Sequence, residues 1–222
     1  MFSYIFMKIL ENRPRSYDRM MDRASRGRIL SVKQTIAAEL VDANHVLDIG
    51  CGTGELAAML AVQGSKVEGF DVNAEMVEVA RQRILKKNLA NAVSIHQMGV
   101  AGMDGFPDSD YDAVVSTLAF SELSDDERHF ALKHCRRILK PYGLILIADE
   151  VVPQKKLKKI LHVTIRIPML LAAYLVSRTA SHPIADLAGE ISSAGFSIQK
   201  EIRSHGDSFA MVVGRLEMPD TT

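Results

Sequence analysis

The segment Val46-Leu47-Asp48-Ile49-Gly50-Cys51-Gly52-Thr53-Gly54 places three glycines at alternate positions directly after a short apolar stretch, and a second apolar stretch ends on Gly69-Phe70-Asp71. A strand that turns sharply into a helix needs glycine where the backbone takes positive φ or must touch a ligand. Asp71 lies 21 residues beyond Gly50, the spacing that puts a carboxylate at the tip of the neighbouring strand, within reach of a ribose diol. The chemistry these residues suit is recognition of an adenosine-containing ligand. Asp48 and Glu55 narrow it further. A dinucleotide fingerprint has a glycine where Glu55 stands, and the carboxylate of Asp48 repels a pyrophosphate but attracts an ammonium. A Gly-rich turn that merely tightens strand–helix packing is the alternative, and the matching acid at Asp71 argues against it.

In these residues the chain resembles the class I S-adenosylmethionine (SAM)-dependent methyltransferases, of the broad type 11 group that includes the ubiquinone and menaquinone C-methyltransferases. The resemblance runs from about Tyr17 to Val213 and takes in Tyr17-Asp18, Asp108-Ser109-Asp110-Tyr111-Asp112 and Leu139-Lys140-Pro141-Tyr142-Gly143. It implies SAM as cofactor, with Asp48, Gly50, Gly52 and Gly54 around the methionine part and Asp71 on the ribose hydroxyls. Tyr17, Cys51, Val72, Val100, Ala101 and Thr117 complete the expected cofactor-binding set, and no metal is expected. The implied activity is methyl transfer to a small acceptor that is apolar or held by a partner. A non-catalytic SAM-binding module that regulates another protein is the alternative. An NAD-type oxidoreductase is disfavoured by Asp48, by Glu55 and by a chain too short for a separate catalytic domain.

Two departures from the family pattern matter. Many relatives carry an acid in a Gly-Asp-Ala segment that receives the adenine amino group; here the stretch is Gly99-Val100-Ala101, which leaves backbone groups or apolar packing for that task. Ser121-Glu122 stands where several quinone-type relatives have two histidines, which argues against simple transfer of a quinone substrate. The opening Glu11-Asn12-Arg13-Pro14-Arg15-Ser16-Tyr17-Asp18 also resembles methyltransferases associated with corrinoid proteins. The chain has no D-x-H-x-x-G motif, so a corrinoid would come from a partner protein.

No catalytic residue is assigned. Many acceptors need a base, and the polar residues near strand ends are Ser121, Glu122, Asp149 and Glu150, with Tyr17 and His182 entering from flanking segments. Each has a plainer role: Ser121 and Glu122 starting a loop, Asp149 and Glu150 solvated, His182 shaping a turn before Pro183.

Strands and helices alternate so as to carry these residues. Ser31 to Leu40 reads as a helix leading into the strand Val46 to Ile49. Glu55 to Gln63 follows as a helix whose N-terminus can receive a carboxylate. Lys66 to Phe70 is the next strand, and Asn73 caps a helix through Lys87. Val93 to Gln97 and Ala113 to Leu118 are strands. Ser124-Asp125-Asp126-Glu127 is a capping box opening a helix, which Pro141 and Gly143 end before the strand Leu144 to Ala148. Ala185 to Ala194 is helical, and Phe196 to Arg203 with Phe209 to Leu216 reads as a hairpin. The expected class is α/β: a Rossmann-like, mostly parallel seven-stranded sheet with an antiparallel C-terminal hairpin strand, helices on both faces and a helical cap insertion.

The 222 residues fit one domain, with 1–40 as an N-terminal helical cover and 153–183 as the cap. In the cap, four lysines (Lys155, Lys156, Lys158, Lys159) precede an apolar run whose unbroken part, Ile167 to Val176, is too short to span a bilayer. Contact with a membrane surface is open but not expected. Balanced charge, 27 acidic against 27 basic residues, gives no reason to expect nucleic acid. Two cysteines without metal or redox spacing suit a reducing cytoplasm, and both read as structural. Met1 to Leu10 lacks the basic start and cleavage site of a signal peptide and reads as an amphipathic helix over the cleft.

Overall fold

The computed structural model describes residues 14–154 and 183–217. The helix expected over 1–10, the body of the cap insertion with His182, and the C-terminal tail lie outside the described residues. Two helices, α1 (Pro14–Ser25) and α2 (Arg28–Glu39), precede β1 (His45–Ile49), α3 (Glu55–Val62), β2 (Lys66–Asp71), α4 (Ala74–Lys86) and β3 (Val93–Gln97). The second half holds β4 (Tyr111–Thr117), α5 (Asp125–Ile138), β5 (Leu139–Glu150), α6 (Leu187–Ser193), β6 (Phe196–Ser204) and β7 (Phe209–Leu216).

All seven strands form one sheet in the order β3-β2-β1-β4-β5-β7-β6. The first five are parallel, and β7 runs antiparallel between β5 and β6. Both faces are covered, so β1 is buried at every residue, as the central strand of a two-sided sheet must be. Val46, Val67, Val115 and Leu146 pack under α2, α3 and α4 through Ile36, Leu60 and Val77. Leu47, Ile49, Val114 and Ile147 pack on the opposite face against Leu132, Cys135 and Ile191 of α5 and α6. The strand order reverses at β1 and β4, so the carboxyl ends of these two strands diverge into a crevice.

Local signals place several boundaries. Asn73 accepts the Glu75 and Met76 N–H groups at the start of α4, and the Ser124–Glu127 capping box opens α5. Two readings of the sequence are corrected. Pro141 and Gly143 do not separate α5 from a strand starting at Leu144, because β5 begins at Leu139, directly after the helix. Pairing jumps from Tyr111↔Leu139 to Ala113↔Leu144; Lys140–Gly143 is therefore looped out as a bulge, where a proline costs no ladder hydrogen bond. The helix expected from Ala185 starts at Leu187, because Asp186 is its N-cap and accepts the Gly189 N–H.

Candidate functional site

The crevice is a cleft of about 210 Å³ walled by the turns after β1, β2 and β4 and roofed by α1 and α2. The three loop glycines all have positive φ, 68°, 52° and 69° at Gly50, Gly52 and Gly54, yet they serve different ends. A Cβ at Gly50 would stand 2.3 Å from the Ala119 Cβ in the turn after β4, so glycine there lets two strand ends close on each other. A Cβ at Gly54 would lie 3.0 Å from that of Ala80, which serves the packing of α3 on α4. At Gly52 a Cβ would meet nothing within 4 Å: the backbone here lines open space in the cleft.

Asp71, at the tip of β2, is fixed by two backbone donors. Its Oδ2 accepts the Gly52 N–H at 2.9 Å and its Oδ1 the Asn73 N–H at 2.8 Å. The glycine loop thus orients the carboxylate of the neighbouring strand. Asp48 is 2% exposed, and its Oδ2 has no hydrogen-bond partner among the described residues. Burial pushes its pKa up to about 7, Lys33 opposing and Asp71 adding to the rise. Lys33 itself is engaged by Glu55 at 2.8 Å. A buried carboxylate oxygen without a hydrogen-bond partner is costly, and Asp48 lines the same cleft as Gly52. Thr117 Oγ1, at the end of β4, is a second buried polar atom without a partner among the described residues.

The structure brings most of the expected residues together. Tyr17, Asp48, Gly50, Cys51 and Gly52 line the cleft with Asp71, Val72 and Thr117. Gly54, Val100 and Ala101 do not. Val100 opens a 3₁₀ turn and is buried with Met103 and Phe70 on the far face of the sheet, while Ala101 is exposed. Just before this turn, a Cβ at Gly99 would lie 3.4 Å from Cγ1 of the cleft residue Val72. Cys51 is buried, without a disulfide, and burial beside Asp48 and Asp71 holds its thiol well above the ordinary range. It is a small packing residue and a poor nucleophile.

Sequence reasoning expected a helical cover over 1–40 with Tyr17 in it, but did not name the other residues that form the roof. Met21 of α1 and Ile29 and Lys33 of α2 line the cleft, but only the fold brings these helices over strands that follow them in sequence. Glu122 does line the cleft. Asp149, read from the sequence as a candidate base or else a solvated acid, is fully buried, accepts the N–H of Ser121 at 3.0 Å and of Glu150 at 2.6 Å, and is pushed up to about 6 by burial. It braces the turn that carries Glu122.

Comparison with known proteins agrees with this geometry. A family model described as a methyltransferase domain matches residues 46–143. The ubiquinone/menaquinone biosynthesis C-methyltransferase of Pectobacterium carotovorum is 31% identical over 198 residues, covering 81% of this chain and 78% of that protein. The chain belongs to the class I SAM-dependent methyltransferases. The Cellvibrio japonicus protein of the same name is 34% identical over 146 residues, which is 64% of this chain and 57% of that relative's length. A SAM-dependent methyltransferase from Methanosarcina mazei has the same fold, with a TM-score of 0.62, 19% identity and coverage of 79% of this chain and 93% of its own. Within a class I methyltransferase, the partnerless Asp48 oxygen fits an ammonium, the fixed Asp71 carboxylate fits a diol, and the open space at Gly52 fits the close approach of a ligand.

Proposed function

We propose that this protein binds SAM in the cleft and transfers its methyl group to a small apolar acceptor. The observation that carries this reading is the buried Asp48 Oδ2, partnerless among the described residues, in the cleft that the Gly52 backbone also lines. Asp48 pairs with the ammonium of the methionine part and regains the interaction that burial took from it. Asp71, already held by the Gly52 and Asn73 N–H groups, presents its remaining acceptor capacity to the ribose hydroxyls. SAM, when bound, supplies a methyl carbon activated by its sulfonium leaving group. The protein's part is alignment and exclusion of water. Met21, Ile29 and Leu118 give the cleft an apolar wall, which favours an apolar acceptor. Glu122 also lines the cleft, and its carboxylate is the candidate base for an acceptor that must lose a proton. The related C-methyltransferases are named for quinone biosynthesis. A quinol ring carbon is therefore one acceptor to test, although Ser121-Glu122 differs from the paired histidines of such relatives.

Calorimetric titration of SAM and S-adenosylhomocysteine into the wild type and Asp71→Ala tests the cofactor reading. Micromolar binding that weakens at least 30-fold in the variant supports it. No binding by ligand-free wild type overturns it. An acceptor screen over phenols, quinols and corrinoid proteins, read as release of S-adenosylhomocysteine, then tests the transfer.

A further inference from the structure

Helix α1 carries Tyr17 and Met21 into the cleft, and the residue between them in the fold's closure is Asp18. Its carboxylate receives the Thr53 hydroxyl, with the two oxygens at 2.7 and 2.8 Å, and forms an ion pair with Arg83 of α4. Arg83 also donates to Thr53 Oγ1 at 3.2 Å. These three hydrogen-bonding groups close a ring across segments 35, 30 and 65 residues apart. Thr53 is 2% exposed, and the Asp18 and Arg83 side chains are 17% and 22% exposed. Thr53 follows Gly52, whose N–H holds Asp71. A continuous chain of bonds therefore runs from α1 through the glycine loop to the carboxylate expected on the ribose.

Apolar packing covers α1 only in part: of its twelve residues Pro14, Met21 and Ser25 are buried, and Tyr17 and Met20 are partly buried against the core. A peripheral helix opens at a lower free energy than the sheet beneath it, and its opening would admit or release a ligand held below Tyr17 and Met21. We infer that Asp18 is a positioning residue: with Thr53 and Arg83 it latches α1 over the cleft and stiffens the loop that aims Asp71. This rests on the SAM reading proposed above. Asp18 touches no reacting atom in this role. It sets how long the cofactor stays and how well it is aligned.

The test compares wild type, Asp18→Asn, Thr53→Val, the double variant Asp18→Asn with Thr53→Val, and Thr53→Ser by calorimetry, stopped-flow dissociation of S-adenosylhomocysteine, and limited proteolysis of α1. Asp18→Asn and Thr53→Val should each weaken S-adenosylhomocysteine about tenfold, mostly through faster dissociation, and the double variant should be little worse than either single one. Thr53→Ser, which keeps the hydroxyl, should restore wild-type dissociation. Ligand should protect α1 from protease in the wild type and in Thr53→Ser but not in the other two, while KM for SAM rises more than kcat falls. Equal affinity and dissociation in wild type and Asp18→Asn, with both folded, would overturn the latch and leave the cofactor reading standing. Failure of the wild type itself to bind would remove the cofactor reading instead. Additive losses in the double variant would also overturn the latch, since groups acting as one ring must couple.

Discussion

At the scale of single residues, the protonation of Asp48 makes a measurable link between pH, stability and ligand. Its ordinary carboxyl pKa of 3.8 is raised to about 7 by burial. Between those values the folded, ligand-free protein holds a proton that the unfolded chain has lost. Stability from this group therefore increases as pH falls from about 7 toward 4, by up to about 1.4 kcal/mol per pH unit. Asp149, raised to about 6, adds an effect of the same sign between 3.8 and about 6. An ammonium needs the ionised carboxylate, so binding below pH 7 expels a proton. SAM titrated at pH 6 in two buffers of different ionisation enthalpy should release close to one proton, and Asp48→Asn should abolish the release. An identical heat in both buffers would mean that Asp48 is already charged or does not meet the ligand.

Among the elements, the strand–loop–helix unit around Gly50 and Gly52 separates two costs that sequence alone merges. Gly50→Ala drives a Cβ to 2.3 Å from that of Ala119 and adds strain at positive φ, so it should lower stability by roughly 2–4 kcal/mol. Gly52→Ala meets no protein atom within 4 Å, so its stability cost should stay near 1 kcal/mol, while its methyl occupies the space assigned to ligand. Urea unfolding and SAM titration of the two variants should therefore rank them in opposite orders, for as much of Gly50→Ala as remains folded. If Gly52→Ala binds SAM as tightly as wild type, the ligand does not approach that backbone.

For the molecule as a whole, β7 is the element on which the second half of the sheet depends. It lies between β5 and β6 and pairs with both, and seven of its eight residues are buried. A chain ending at Ser204 would expose the inner edge of β5, leave β6 unpaired, and remove Ala210 and Val212 from the α6-side core. It should fail to give a cooperative thermal transition by circular dichroism. A sharp transition near that of the full chain would show that β1 to β5 form a self-sufficient unit. Among the described residues no helix is long and apolar enough to cross a membrane.

The sequence by itself determined the parts of this protein governed by local chemistry. Glycines had to mark the sharp turn after β1, Asn73 and Ser124 had to cap their helices, and continuous apolar strands had to lie between two layers. The spacing from Gly50 to Asp71 measures one strand–helix–strand unit, so the pairing of glycine loop and acid was legible as well. The burial of Asp149 was not, because an acid at a strand end looks solvated until the turn after β4 folds across it. Nor was the bulge at Lys140–Gly143, whose proline reads as a break until β4 supplies the register on either side. The burial of Val100 has the same origin: the 3₁₀ turn after β3 packs against α5, a contact that only the fold brings about. The roof of the cleft, with Lys33 near Asp48 and Asp18 joined to Thr53 and Arg83, depends on helices that precede the sheet in sequence and cover it in space. Such contacts arise from packing across many residues of separation, and only the tertiary structure decides them.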